Sequence, residues 1–158
     1  MRSLLPLLPL LLTLLSLALQ AQSSWKSVDD IPKRWGILER DSSGYIIYNP
    51  CNGGTPRITL DSGVVTVYWQ LDAPSKLHIT KFTLQDGKRS FNISANNEDE
   101  KMEFNATIKK ETPLLVLWQF GDYKWVMTDD EHKANFRIVD NPCPTEMKRE
   151  KQFLPVEF

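Results

Sequence analysis

The sequence predicts an all-β domain: an up-and-down antiparallel meander of about ten short strands that closes into a barrel or folds into a sandwich. Three observations predict it. No stretch carries a sustained 3.6-residue apolar period. Segments that alternate, or that are rich in β-branched and aromatic residues, follow one another along the chain. Clusters of Gly, Asp, Asn and Ser separate them ("DSSG", "DSG", "QDGK", "SANNEDE", "FGDY", "TDDEHK"), as tight turns require.

Taken in order, strands are expected over 35–40, 45–49, 57–61, 64–71, 77–84, 89–95, 101–109, 114–120, 123–128 and 135–140. The clearest alternation is "KMEFNATIKK", which puts Met102, Phe104, Ala106 and Ile108 on an inner face and Glu103, Asn105, Thr107 and Lys109 on an outer one. "VVTVYWQL" from Val64 has strand composition. "LLVLWQF" from Leu114 is apolar on both faces, which suits a strand covered on each side. Connections this short cannot cross a sheet, so sequential strands should be antiparallel neighbours. A single helical turn is expected around "SVDDIP", with Ser27 as its cap.

Ahead of these strands, Arg2 is followed by an uncharged Leu-rich run from Leu4 to Ala18, and then by small and polar residues around Ala21. That is the pattern of an export signal, here residues 1–22, cleaved after Ala21 or Gln22. The run is short of the about 20 apolar residues of a spanning helix, and Pro6 and Pro9 interrupt it. Removing 22 of the 158 residues leaves 136, enough for one domain with one core. The expected organisation is a polar lead over 23–34, one β domain over 35–143, and a charged tail over 144–158 that ends in "FLPVEF". The expected location is periplasmic or extracellular. No membrane span is expected in the mature chain, whose longest later apolar run is "LLVLW".

Loss of Arg2 leaves 18 basic against 20 acidic side chains, so charge gives no case for a nucleic-acid partner. The two cysteines, Cys51 and Cys143, stand in two copies of Asn-Pro-Cys, each where an apolar run stops. In an oxidising compartment such a pair is expected to form a disulfide between the ends of neighbouring strands. The spacing is wrong for redox chemistry, which favours Cys-X-X-Cys.

Catalysis lacks its usual residues. His78 lies mid-strand in "KLHITKF", and His132 lies in the acidic turn "DDEHK", where Asp129, Asp130 and Glu131 could hold a cation but read as a solvated turn. Glu98, Asp99 and Glu100 supply the carboxylates that a hydrolase would need, in a turn that sets no fixed separation between them. "CNGGTP" has no following helix to make a phosphate loop, and neither a cofactor nor a resident metal is called for.

Aromatic surface is the surplus. Trp69, Trp118 and Trp125 fall in three separate strands; they either fill a barrel or line a pocket for an apolar ligand. The start of the first strand, "KRWGILERD", with the meander after it and the expected tie to the C-terminal segment, resembles the lipocalin-like, or calycin-like, barrels. Trp35 precedes Gly36, the reverse of that family's Gly-X-Trp order, so no residue role carries over. The resemblance implies transport or sequestration of a small hydrophobic molecule. The expected function is non-catalytic binding, with Trp69, Trp118 and Trp125 lining the site. The alternatives are a protein-binding module (an inhibitor or surface-assembly component) with a filled core, and a carboxylate hydrolase. Two Asn-X-Ser/Thr sequons, at Asn92 and Asn105, become glycan acceptors in a eukaryotic secretory route.

The export reading is checked by N-terminal sequencing of protein recovered from the periplasm or medium. The expected first residue is Gln22 or Ser23, and an intact Met1 in a membrane fraction overturns it.

Overall fold

The computed structural model describes residues 25–51, 54–85, 87 and 89–141. The expected leader (1–22), the C-terminal tail (144–158) and Cys143 lie outside the described residues.

Ten strands form: β1 (Arg34–Asp41), β2 (Gly44–Asn49), β3 (Arg57–Asp61), β4 (Val64–Tyr68), β5 (Ser75–Gln85), β6 (Ser90–Asn96), β7 (Lys101–Glu111), β8 (Leu114–Phe120), β9 (Tyr123–Asp129) and β10 (Arg137–Asp140), close to the expected spans except that β4 stops at Tyr68, which leaves Trp69 outside a strand. The only helical pieces among the described residues are short 3-10 turns, including Val28–Asp30 and Lys133–Asn135. Ser27 does precede the first turn, but the fastening bonds run to Asp30, whose Oδ2 accepts from the backbone N–H groups of Lys26 at 2.8 Å and Ser27 at 3.0 Å. Gly63 and Gly121, each at positive φ, turn the chain between β3 and β4 and between β8 and β9.

From β3 to β9 the strands are sequential antiparallel neighbours, and β1 pairs with both β3 and β9. The result is a closed antiparallel barrel, an architecture consistent with the lipocalin-like fold. Closure settles the choice between barrel and sandwich. Register shifts at Ile79/Lys81 and Ile108/Lys110 supply bulges that help the long strands β5, β7 and their neighbours coil.

The meander departs from strict sequence order at β2. This strand pairs with the upper part of β1 (Glu39↔Ile46 to Asp41↔Gly44), while β1 meets β3 and β9 lower down. β10 then joins β2 in parallel, from Arg137↔Ile46 to Asp140↔Asn49. A parallel pair needs a long connection, and here nearly the whole barrel lies between the two strands.

The interior is aromatic. Trp118 is 0% exposed, with ring centroids of Trp35, Phe91 and Phe104 at 5.5, 5.3 and 6.3 Å in edge-on geometry. The N-terminal segment closes this end: Trp25 and Ile31 are buried in the same cluster, with Trp25 5.4 Å from Phe91. The inner face expected for β7 is observed, with Phe104, Ala106 and Ile108 buried and Met102 packed against them. β8 is covered on both sides, as its composition implies. Leu114, Val116, Trp118 and Phe120 belong to the interior, whereas Leu115 joins Leu38 and Val126 in a smaller outer cluster under Tyr45, Ile47 and Phe136.

The cross-link expected between Cys51 and Cys143 falls on Cys143, which lies outside the described residues; Cys51 itself is not a free thiol. The described tie between the two Asn-Pro-Cys segments is made by main chain and amide. Asn141 N–H donates to the Asn49 carbonyl at 3.0 Å, and Asn49 Nδ2 donates to Asp140 Oδ1 at 2.7 Å.

Because Trp118 is enclosed by the rings of Trp35, Phe91 and Phe104, Trp118→Ala is expected to cost about 3–5 kcal/mol of stability. Urea denaturation followed by far-ultraviolet circular dichroism measures this, and a loss below about 1 kcal/mol would show the centre of the barrel to be loosely packed.

Candidate functional site

The registers place the β4–β5, β6–β7 and β8–β9 connections at the end of the barrel opposite Trp25 and Ile31. At that mouth four aromatic side chains meet. Trp69, just past β4, has ring centroids of Tyr123 at 5.0 Å, Trp125 at 5.6 Å and Phe120 at 6.0 Å. Phe120 in turn lies 4.8 Å from Trp125 and 5.5 Å from Tyr123. The cross-strand pair Phe120↔Tyr123 and the i, i+2 spacing of Tyr123 and Trp125 put these three on one face. Trp69 Nε1 donates to Ser75 Oγ at 3.1 Å, which fixes the indole plane across the start of β5.

The cluster grades from wet to dry. Tyr123 is 50% exposed, Trp69 and Trp125 are half-buried, and Phe120 is buried. In the loop that follows Trp69, Leu71 is 73% exposed. Below them Phe104 links the mouth to the closed end, 5.2 Å from Phe120.

Of the three tryptophans singled out in the sequence, Trp69 and Trp125 are in contact at the mouth. Trp118 pairs with Trp125 across β8 and β9 but points its ring into the packed centre. Tyr123 and Phe120 complete the cluster and were not singled out. Their signal lies in "WQFGDYKW", where a two-residue turn brings aromatic positions of adjacent strands opposite each other. The indole N–H groups of Trp35 and Trp118 are buried without a conventional acceptor among the described residues. Their edge-on ring contacts are of the kind in which an aromatic face receives a weak donor.

The other expected chemistry is dispersed. His78 is exposed on β5. His132 is bound to its neighbour: Asp129, 2% exposed, lies 2.6 Å from His132 Nδ1 and also accepts from the His132 backbone N–H at 3.1 Å. Glu98, Asp99 and Glu100 are exposed in the β6–β7 turn, where Asn97 Oδ1 accepts from the N–H groups of Asp99 and Glu100. No group of three or more His, Cys, Asp or Glu residues that could hold a metal occurs among the described residues. No helix among them is long and apolar enough to cross a membrane. Asn92 and Asn105 face each other across β6 and β7, on the side away from Phe91 and Phe104.

At the tip of the β1–β2 hairpin, the Ser43 hydroxyl and backbone N–H hold the Asp41 carboxyl below its ordinary value, and Arg137 adds to the effect. On β1 itself, burial pushes the Glu39 carboxyl up. Comparison with family models, with curated proteins and with solved structures finds no match for the chain.

A lowered carboxyl stabilises the fold above its unfolded value, near 3.8 for Asp41, and that contribution is lost as pH falls through the lower folded value. A raised carboxyl has the opposite sign, so Glu39 opposes folding once it ionises and ceases to do so as pH falls. Glu39→Gln is therefore expected to raise, and Asp41→Asn to lower, the melting temperature at pH 7. Both differences should shrink as pH is lowered through the carboxylate range, as thermal melts from pH 7 to pH 3 would record.

Proposed function

We propose that the chain is an exported, non-catalytic binding protein that takes an apolar or amphipathic small molecule at the mouth of its barrel. The observation that carries this reading is the half-exposed cluster of Trp69, Tyr123 and Trp125 above a buried Phe120. Aromatic rings held by contacts with one another offer large contact area at little cost in side-chain entropy. The ligand lies against the mouth, because the level below is occupied by Phe104 and Trp118. Export is supported by the composition of residues 1–22.

A protein partner is the second reading, favoured by one observation. Leu71 and Tyr123, the most exposed large apolar side chains beside this cluster, extend it onto the loops. Both readings place the contact on the same rings and differ in the size of what is bound.

Titration of the purified mature chain with long-chain fatty acids, retinoid-like and porphyrin-like compounds, followed by tryptophan fluorescence, tests the small-molecule reading. Saturable quenching is expected, with affinity lowered by about tenfold or more in Trp69→Ala and in Trp125→Ala. Absence of saturable quenching across the panel overturns it and leaves the protein partner as the reading to pursue.

A further inference from the structure

A concavity lies on the outer wall of the barrel. It is about 660 Å³ and is lined by Lys33, Arg34, Arg57, Tyr68, Asp130 and Lys133, together with residues of β3 that include Thr59 and Asp61. The pairing registers lay out its floor. One row runs Gly36↔Arg57↔Tyr68 across β1, β3 and β4, and the next runs Arg34↔Thr59↔Thr66. Ile58 and Leu60 alternate with these positions and are buried in the core, so Arg57 and Thr59 face outward.

Three features make this more than a scatter of surface charge. First, the lining holds four cations against two carboxylates, in a chain whose formal charge is −1. Asp130 is already shared, paired with Lys133 and lying 3.9 Å from Arg34. Second, Arg57 lies over the Tyr68 ring at 4.1 Å and has no carboxylate partner among the described residues. Stacking fixes the guanidinium plane and leaves its edge of donors unspent. Third, Gly36 is a mid-strand glycine whose missing side chain is used. A Cβ there would lie 3.1 Å from Lys133 Cε, so the lysine stem crosses β1 through the space that glycine leaves.

We propose that this outer cleft is a binding site for a small molecule bearing a phosphate or sulfate group, with Arg57 as the planar two-donor anchor and Lys133 and Arg34 as the flanking charges. Guanidinium meets a tetrahedral oxyanion through two parallel N–H donors, and the flanking cations neutralise the second charge. The Thr59 hydroxyl supplies a neutral donor on the same floor. The Asp130 carboxylate holds Lys133 and Arg34 together in the unliganded cleft, and Asp61 at the far side disfavours a bulky polyanion.

The test is a titration of the full mature chain with inorganic phosphate and, separately, with phenyl phosphate and phenyl sulfate. It is followed by amide chemical shifts at constant ionic strength set with chloride. Saturable shifts at Arg34, Arg57, Thr59 and Lys133 are expected, with affinity falling about tenfold in Arg57→Gln. Arg57 is exposed, so this variant should fold as the parent does. Gly36→Ala, which displaces the Lys133 stem, should weaken binding while leaving the amide spectrum of the barrel interior in place. Tighter binding of the aryl esters than of inorganic phosphate identifies an ester ligand, and equal binding identifies the free ion. Shifts that do not saturate, or that persist unchanged in Arg57→Gln, overturn the site.

Discussion

Everything in this fold depends on β1 serving two edges and then a third partner. Within eight residues it pairs with β3 through Arg34–Gly36, with β9 through Trp35–Leu38, and with β2 through Glu39–Asp41. Without the β9 contact, the ladder from β3 to β9 would be an open sheet with two exposed edges, and its inner aromatic face would have nothing to enclose. Closure sets Trp35 against Trp118, and that contact in turn gives Trp25 and Ile31 a surface to cap. The two sides of β1 therefore have different duties, with Trp35 inward and Leu38 in the outer cluster beneath Phe136.

The same closure divides the aromatic residues by role. Rings near the N-terminal segment meet edge to face from several directions and are shut away from solvent. Tyr123, Trp69 and Trp125, near the β8–β9 turn, are supported from below and beside by buried Phe120 and by one another, and their remaining faces are left to water. A packed lower half makes a rigid support for a small, fixed aromatic surface, which costs little to order when something binds.

Local patterning made most of the strand list legible: β3 and β8 occur at the residues expected, and β7 buries the face that its alternation marks. Patterning describes a strand's faces and says little about its edges. That is why the pairing of β3 with β1 past β2, and the parallel pairing of β10 with β2, were not visible: both are edge choices, decided by barrel closure. Trp69 and Trp125 were legible as aromatic surplus. Trp118, identical in kind, is distinguished from them only by its height in the barrel, which depends on register with three neighbours. The charged outer cleft had no signal at all, because Arg34, Arg57, Tyr68 and Lys133 come from four separate segments and converge only through the ladder.

One consequence of the β2–β10 pair concerns self-association. Every described strand but β10 has a partner on both sides, so the outer side of β10 is the one place where the ladder could continue into another molecule. That strand is four residues long, begins and ends on the charged residues Arg137 and Asp140, and engages Arg137 with Asp41 and Ser43 of the β1–β2 hairpin. A short, charged terminal strand is a poor template for strand addition. By ending this open ladder on a short, charged strand, a barrel rich in β-branched and aromatic residues limits its own tendency to grow into aggregates.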